Sequence, residues 1–255
     1  MSYLACDIGN SFIKFGLYTN GELKFFHKIA HSDFSNAILS KLEFDRVGIT
    51  SVVPERSQKL IKLFETQFNI TPFVITHESH FQFENLYGTP DTVGTDRLCG
   101  LEGAMQIYFD ETGDNTFKDK VLVTIDFGTA TTINIIESPA KFVGGLIAPG
   151  MTTMSESLSS GTSQLPAIDF SNFENIIGTN TDQCIANGIV NATVGMIERT
   201  LEFLIHKNSH DILIFTTGGN AKLISIHLSF EHRNIEDLVL RGVNSLITRL
   251  ETFEK

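Results

Sequence analysis

Tryptophan is absent from this sequence and cysteine is scarce, with residues 6, 99 and 184 the only three. Their spacing matches neither a disulfide framework nor a cysteine zinc site, so Cys6, Cys99 and Cys184 are expected to be buried thiols in a reducing cytoplasm. No apolar run is long enough to span a bilayer, and strand-like sequence begins almost at Met1, so neither a membrane span nor a signal peptide is expected. Positive charge is short: 19 Lys and Arg face 30 Asp and Glu, a net charge of −11. That balance argues against a general nucleic-acid or anionic-membrane binder. It does not exclude an anionic substrate, which local cations decide. Walker A, G-x-G-x-x-G, C-x-x-C and H-E-x-x-H patterns are all missing. The rest is ordinary: 42% apolar and 19% charged over 255 residues, enough for one large or two small domains with real cores. The 21 phenylalanines carry no functional signal of their own.

The most informative stretch that is present covers residues 121–136, VLVTIDFGTATTINII. An apolar run reaches Asp126. Gly128 and the hydroxyls Thr129, Thr131 and Thr132 follow, and then a second apolar run. Beta-branched runs either side of a glycine read as two strands joined by a tight turn. Threonine hydroxyls and free N–H groups in such a turn can donate to phosphate oxygens, and an acid at the strand end can hold a cation. A plain hairpin with a capping Asp is the alternative reading.

A second copy near the start favours the ligand-binding reading. Residues 4–18 give an apolar strand, Asp7-x-Gly9, Asn10-Ser11, and a second strand. Each copy then turns into a third strand, LKFFHKIA in one and KFVGGLIA in the other. Each half therefore begins with three antiparallel strands, an internal duplication that predicts two similar α/β domains, 1–117 and 118–255. In the first half a helix is expected over residues 32–42 with Ser32 as N-cap. A strand at 46–53, a helix at 55–68 after Pro54, and a strand at 73–75 follow. Residues 76–92 are irregular, a helix runs from about residue 93 to 109, and 111–120 form a polar loop. In the second half 151–175 resists assignment. A long helix over 181–206, a strand at 211–215, a Thr217-Gly218-Gly219 turn into another helix, and a closing helix over 234–250 complete the chain.

Among shorter clusters, Gly94-Thr95-Asp96-Arg97 opens a helix. Its plain reading is a Thr95 or Asp96 N-cap and a surface Arg97. Its functional reading is an acid that accepts a hydroxyl proton beside a cation that grips a carboxylate. Gly144-Gly145-x-x-x-Pro149-Gly150 hints at close backbone approach. Ser11-Phe-Ile-Lys14 matches S-x-x-K but falls on a strand and is set aside. His77 and His80 read as a solvated loop for want of a third ligand.

Taken in order, these motifs resemble the type III pantothenate kinase family, in the superfamily of acetate and sugar kinases and actin. Asp7-x-Gly9-Asn10-Ser11 is similar to the family's D-x-G-N-T, with Ser11 keeping the hydroxyl of the usual Thr. Gly94 to Arg97 resembles its G-x-D-R, and Asp126-x-Gly128-Thr129-Ala130-Thr131-Thr132 its D-x-G-T-A-T-T. The resemblance spans nearly the whole chain, with the 111–120 loop longer than usual. It implies two duplicated ribonuclease-H-like domains in an actin-like ATPase fold, with an active-site cleft between them. The implied reaction is ATP-dependent phosphorylation of the 4′-hydroxyl of pantothenate, and a cytoplasmic homodimer is implied with it. By the same resemblance Asp7, Ile8, Gly9, Asn10, Ser11, Phe12, Ile13, Lys14 and Thr129 contact ATP, and Asp96 is the general base. Tyr87, Gly94, Thr95, Asp96, Arg97 and Thr181 meet pantothenate. Asp7 holds magnesium through water, and Asp126 binds potassium or ammonium. A sugar kinase of the same superfamily and a non-catalytic regulator on the same scaffold are the alternatives.

Overall fold

A computed structural model describes residues 1–170, 176–207 and 210–253. The chain divides into two compact units. The first comprises Met1–Lys118, Pro139–Val143 and Asp237–Lys255, and the second Asp119–Ser138 and Gly144–Glu236.

The first unit opens with strands β1 (Ser2–Ile8), β2 (Phe12–Thr19) and β3 (Glu22–Ala30), followed by β4 (Arg46–Ser51) and β5 (Phe73–Val74). Their order in the sheet is β3-β2-β1-β4-β5. β1 pairs antiparallel with β2 and parallel with β4, so it is the central strand, with residues 3–8 buried on both faces. One face packs on Leu39, Leu60 and Phe64, and the other on Cys99, Val239 and Ile247. Helix α1 (Pro54–Leu63) starts on proline, which lacks the N–H that the first turn leaves unused, and runs into a π-turn ending at left-handed Asn69. Helix α2 (Thr95–Thr112) continues into the expected polar loop and stops at Gly113 in the left-handed region. Short strand β6 (Glu84–Asn85) pairs in parallel with Lys141 and Phe142.

In the second unit β7 (Lys120–Phe127), β8 (Ala130–Glu137) and β9 (Lys141–Pro149), whose residues 141–143 count with the first unit, precede helices α3 (Met151–Gly161) and α4 (Thr181–Lys207). Strand β10 (Asp211–Thr217), helix α5 (Ala221–Ser225) and strand β11 (Arg233–Asn234) follow. Strand order β9-β8-β7-β10-β11 repeats the 3-2-1-4-5 arrangement of the first sheet, with β7 and β10 parallel. A core of Val121, Val123, Ile125, Ile189, Ile197 and Leu201 lies on one face.

The last helix, α6 (Leu238–Phe253), packs in the first unit against α2 and β1. Gly242 makes this possible: a Cβ there would lie 1.9 Å from the Cys99 carbonyl oxygen on α2.

Several expectations are corrected. The helix over 32–42 is a 3-10 turn, Asn36–Lys41, because the Ala30 to Asp33 turn consumes Ser32 and leaves Ser35 to cap Ala37. The closing helix starts at Leu238, since Asn234 belongs to β11. Cys184 is exposed, not buried: it falls off the stripe of Ile185, Ala186, Ile189 and Val190 that α4 turns inward. Cys6 and Cys99 are buried as expected. Within the unassigned 151–175 stretch the structure has α3, and 171–175 lie outside the described residues. Among the described residues no helix is long and apolar enough to cross a membrane.

Candidate active site

The site residues of the first unit gather around the end of β1. The β1–β2 turn is closed by Gly9 N–H donating to Phe12 O at 3.0 Å, and His31 Nε2 donates to Gly9 O at 2.8 Å. Across the hairpin the register places Lys14 opposite Asp7, with Nζ 3.2 Å from the carboxylate. Asp7 is only 5% exposed, so this ion pair offsets most of a charge that would otherwise be costly to bury. Ile8 and Ile13 point into the core, which leaves only their backbone available for contacts at the turn. Asn10, Ser11 and Phe12 are exposed at the tip.

On its other side Asp7 lies opposite Thr50 of β4. Thr50 donates to the Thr95 hydroxyl at 2.8 Å, and Ser51 N–H donates to the same oxygen at 3.3 Å. Thr95 is therefore spent on β4, and the N-cap is Gly94, with no side-chain cap bond. The Asp96 carboxylate folds back and accepts from Arg97 N–H at 2.8 Å. Glycine is required at position 94, because a Cβ there would sit 2.5 Å from Asp96 Oδ1. Below this turn burial pushes the Cys99 thiol well up from its ordinary range. The charges of Asp7, Glu102 and Asp96 add to that rise, and a hydrogen bond with Thr50 works against it. One buried neutral thiol is thus within electrostatic reach of both the hairpin acid and the helix acid.

Arg97 is buried, not a surface residue. Its guanidinium stands 5.5 Å from the Tyr87 ring centroid and 5.9 Å from that of Phe142. Those two rings stack at 5.7 Å and 4°. The structure thus assembles a cation, an aromatic face and an acid at the start of one helix.

The second unit builds its own site around the β7–β8 turn, which Gly128 N–H closes onto Ala130 O at 3.1 Å. The register sets Asp126 opposite Thr132 on one side and Thr217 on the other. Thr129 is exposed, and its carbonyl accepts from Gly150 N–H at 2.9 Å and Thr153 Oγ1 at 2.8 Å. Gly218 has φ +99°, and a Cβ on it would lie 2.4 Å from Asp126 Oδ1. The Asp126, Pro149-Gly150 and Thr217-Gly218 motifs, far apart in sequence, converge on this turn. Thr181 opens α4 and is exposed.

Comparison with known proteins decides the family. A family model described as type III pantothenate kinase matches residues 3–202. The chain is 30% identical to a type III pantothenate kinase of Legionella pneumophila (strain Paris), covering 94% of this chain and 96% of that one. It is also 30% identical to that of Petrotoga mobilis, covering 94% and 95%. The chain belongs to the type III pantothenate kinase family. Solved structures agree at the level of fold. A Campylobacter jejuni protein named for the Baf family of transcriptional activators superposes with TM-score 0.59 at 20% identity over 98% of this chain and 99% of its own. Component A of the Acidaminococcus fermentans (R)-2-hydroxyglutaryl-CoA dehydratase gives 0.53 at 12%, covering all of both chains. A glucokinase from an Antarctic psychrotroph gives 0.51 at 10%, covering 97% and 99%. The fold is the duplicated ribonuclease-H-like, actin-like ATPase fold.

A kinase of this family uses ATP, and the first hairpin suits a nucleotide phosphate: an exposed turn with a lysine at its base. Among the described residues no three His, Cys, Asp or Glu side chains cluster as metal ligands. Sequence reasoning missed Phe142 and Thr50. Phe142 reads as an ordinary strand residue, and Thr50 acts through its bonds to Thr95 and Cys99.

Proposed function

We propose that this chain transfers the γ-phosphoryl group of ATP to the 4′-hydroxyl of pantothenate, the first step of coenzyme A synthesis. The observation that carries this reading is Asp96 beside Arg97 at the start of α2, with Arg97 set over the Tyr87–Phe142 pair. Phosphoryl transfer needs positioning and charge neutralisation more than covalent chemistry by the protein. Asp96, held through Oδ1 by the Arg97 N–H, accepts the hydroxyl proton as the acceptor oxygen attacks the γ-phosphorus. The bond to the ADP oxygen breaks, and ADP leaves with that electron pair. Arg97 receives the acceptor's carboxylate, which its planar fork matches, and Tyr87 and Phe142 shield that contact from water. Gly94, Thr95 and Thr181 complete the acceptor contacts.

Magnesium bound with ATP neutralises the phosphate oxygens. In this reading the backbone of residues 7–14 and Thr129 would hold the phosphates, Lys14 would supply them positive charge, and Asp7 would hold the magnesium through water. Asp126 serves a monovalent cation, potassium or ammonium. Support comes from its neighbours: threonine hydroxyls stand opposite it in both flanking strands, and Gly218 leaves space beside the carboxylate that a Cβ would fill. A duplication boundary at 117/118, a homodimer and a cytoplasmic location belong to the same reading.

The test is ATP-dependent phosphorylation with pantothenate and a panel of neutral sugars as acceptors. Pantothenate turnover with inert sugars is expected. Turnover of a sugar alone would reassign the acceptor, and no turnover with any acceptor would point to a non-catalytic regulator.

A further inference from the structure

Glu102 is fully buried, six residues after Asp96 on α2. An apolar side chain would fill the same space between α2 and α6 without the cost of desolvating a carboxylate. Its two oxygens are instead fully engaged. Gln82 donates from its backbone N–H and from Nε2, each at 2.8 Å. Ser245 Oγ lies 2.7 Å away, and Arg249 Nη2 forms an ion pair at 2.8 Å. Arg249 Nη2 also donates to His80 O at 2.7 Å, and Gln82 Nε2 to Gln106 Oε1 at 3.0 Å. The partners come from α2, α6 and an irregular segment between them in space. Only that segment has no regular structure beyond the two-residue strand β6 to hold it.

The same segment delivers Tyr87. Its near end, His80 and Gln82, is tied to Glu102 and Arg249. Its far end is tied to the start of β9, where Glu84 N–H donates to Ala140 O at 2.9 Å and Leu86 N–H to Phe142 O at 3.0 Å. Tyr87 N–H then donates to Asn85 Oδ1 at 3.1 Å. Arg97 rides on the helix that carries Glu102, so one carboxylate connects the Tyr87 segment to the helix of its cation.

We propose that Glu102 and Arg249 are positioning residues for the acceptor, pinning the 80–87 segment so that Tyr87 stays stacked on Phe142 against Arg97. The proposal rests on the pantothenate kinase reading, because it assigns Tyr87 and Arg97 to the acceptor. Neither residue touches the first hairpin's turn, so the effect is confined to one substrate.

Glu102→Leu endangers the fold by stranding Gln82 and Arg249, so two milder variants carry the test. Arg249→Lys keeps a cation near Glu102 but loses the fork that also reaches His80. Gln82→Met keeps the backbone bond and loses both Nε2 bonds. Each is assayed for the KM of both substrates and kcat, and for amide hydrogen exchange of residues 80–87. The expected result is faster exchange in that segment and a pantothenate KM raised about 10-fold for Arg249→Lys, with ATP KM and kcat near wild type. Unchanged exchange overturns the proposal. So does faster exchange with unchanged pantothenate KM, or an equal rise in both KM values, since a merely structural role gives these. A wild type inert toward pantothenate would strike the functional reading instead, and exchange alone would then decide whether the pair holds the segment.

Discussion

The two hairpins are built to one plan and charged differently. Each ends a central strand in an acid, Asp7 or Asp126, and closes its turn with a glycine N–H. Each acid has a threonine opposite it in the parallel neighbour, Thr50 or Thr217. Across the antiparallel neighbour they diverge: Asp7 faces Lys14, and Asp126 faces Thr132. The first turn is also longer, closing on the third residue after its glycine where the second closes on the second. A duplicated frame has thus kept its acids and set a lysine across the hairpin from the first and a threonine across from the second. The first hairpin carries its own counter-charge, which a phosphate can borrow. The second sets threonine hydroxyls opposite its acid in both flanking strands, the neighbours on which the proposed monovalent-cation role rests.

The proposed mechanism sets its proton acceptor, Asp96, in the first unit, and the most severe loss should come from that residue. Asp96→Asn keeps shape and removes basicity. Turnover should fall by roughly 10²- to 10⁴-fold with both substrates still bound, measured by steady-state kinetics and direct binding. Wild-type turnover would take Asp96 out of the mechanism.

The second way to break the comparison is through stability. Lys14→Met leaves Asp7 buried without its partner and should cost on the order of 3 kcal/mol. The equivalent change, Thr132→Val, should cost about 1 kcal/mol or less. Urea unfolding of both variants measures the difference. Equal costs would mean that Lys14 does not compensate Asp7.

A smaller effect sharpens the assignment of cations within the first unit. Arg97→Lys retains charge and loses the planar fork. It should raise the pantothenate KM roughly 10-fold and leave the ATP KM unchanged. Equal changes in both would detach Arg97 from the acceptor.

Much of this arrangement is legible in the sequence, and the illegible parts have physical causes. The hairpins declare themselves because beta-branched runs flank Asp-x-Gly twice in one chain. The pairing of Lys14 with Asp7 does not, because register follows from turn length, and the two turns differ by one residue. Phe142 is hidden because its stacking partner Tyr87 follows β6, a strand two residues long and too short for any periodicity. Glu102 reads as an exposed polar residue on a helix, and its burial depends on donors 20 and 143 residues away. The closing helix shows an apolar stripe, but a stripe does not name its partner, and α6 packs in the first unit. Helix α3 escaped notice because serine and threonine, poor helix formers, fill most of it.

The measurement that bears most directly on the difference between the hairpins is pantothenate phosphorylation in potassium, ammonium, sodium and Tris salts at equal ionic strength, for wild type and Asp126→Asn. A large, weakly hydrated cation at Asp126 predicts high wild-type rates in potassium and ammonium and much lower rates in sodium and Tris. Asp126→Asn should lose most of that preference. Equal wild-type rates in all four salts would contradict the account, leaving Asp126 as no more than the cap of its turn.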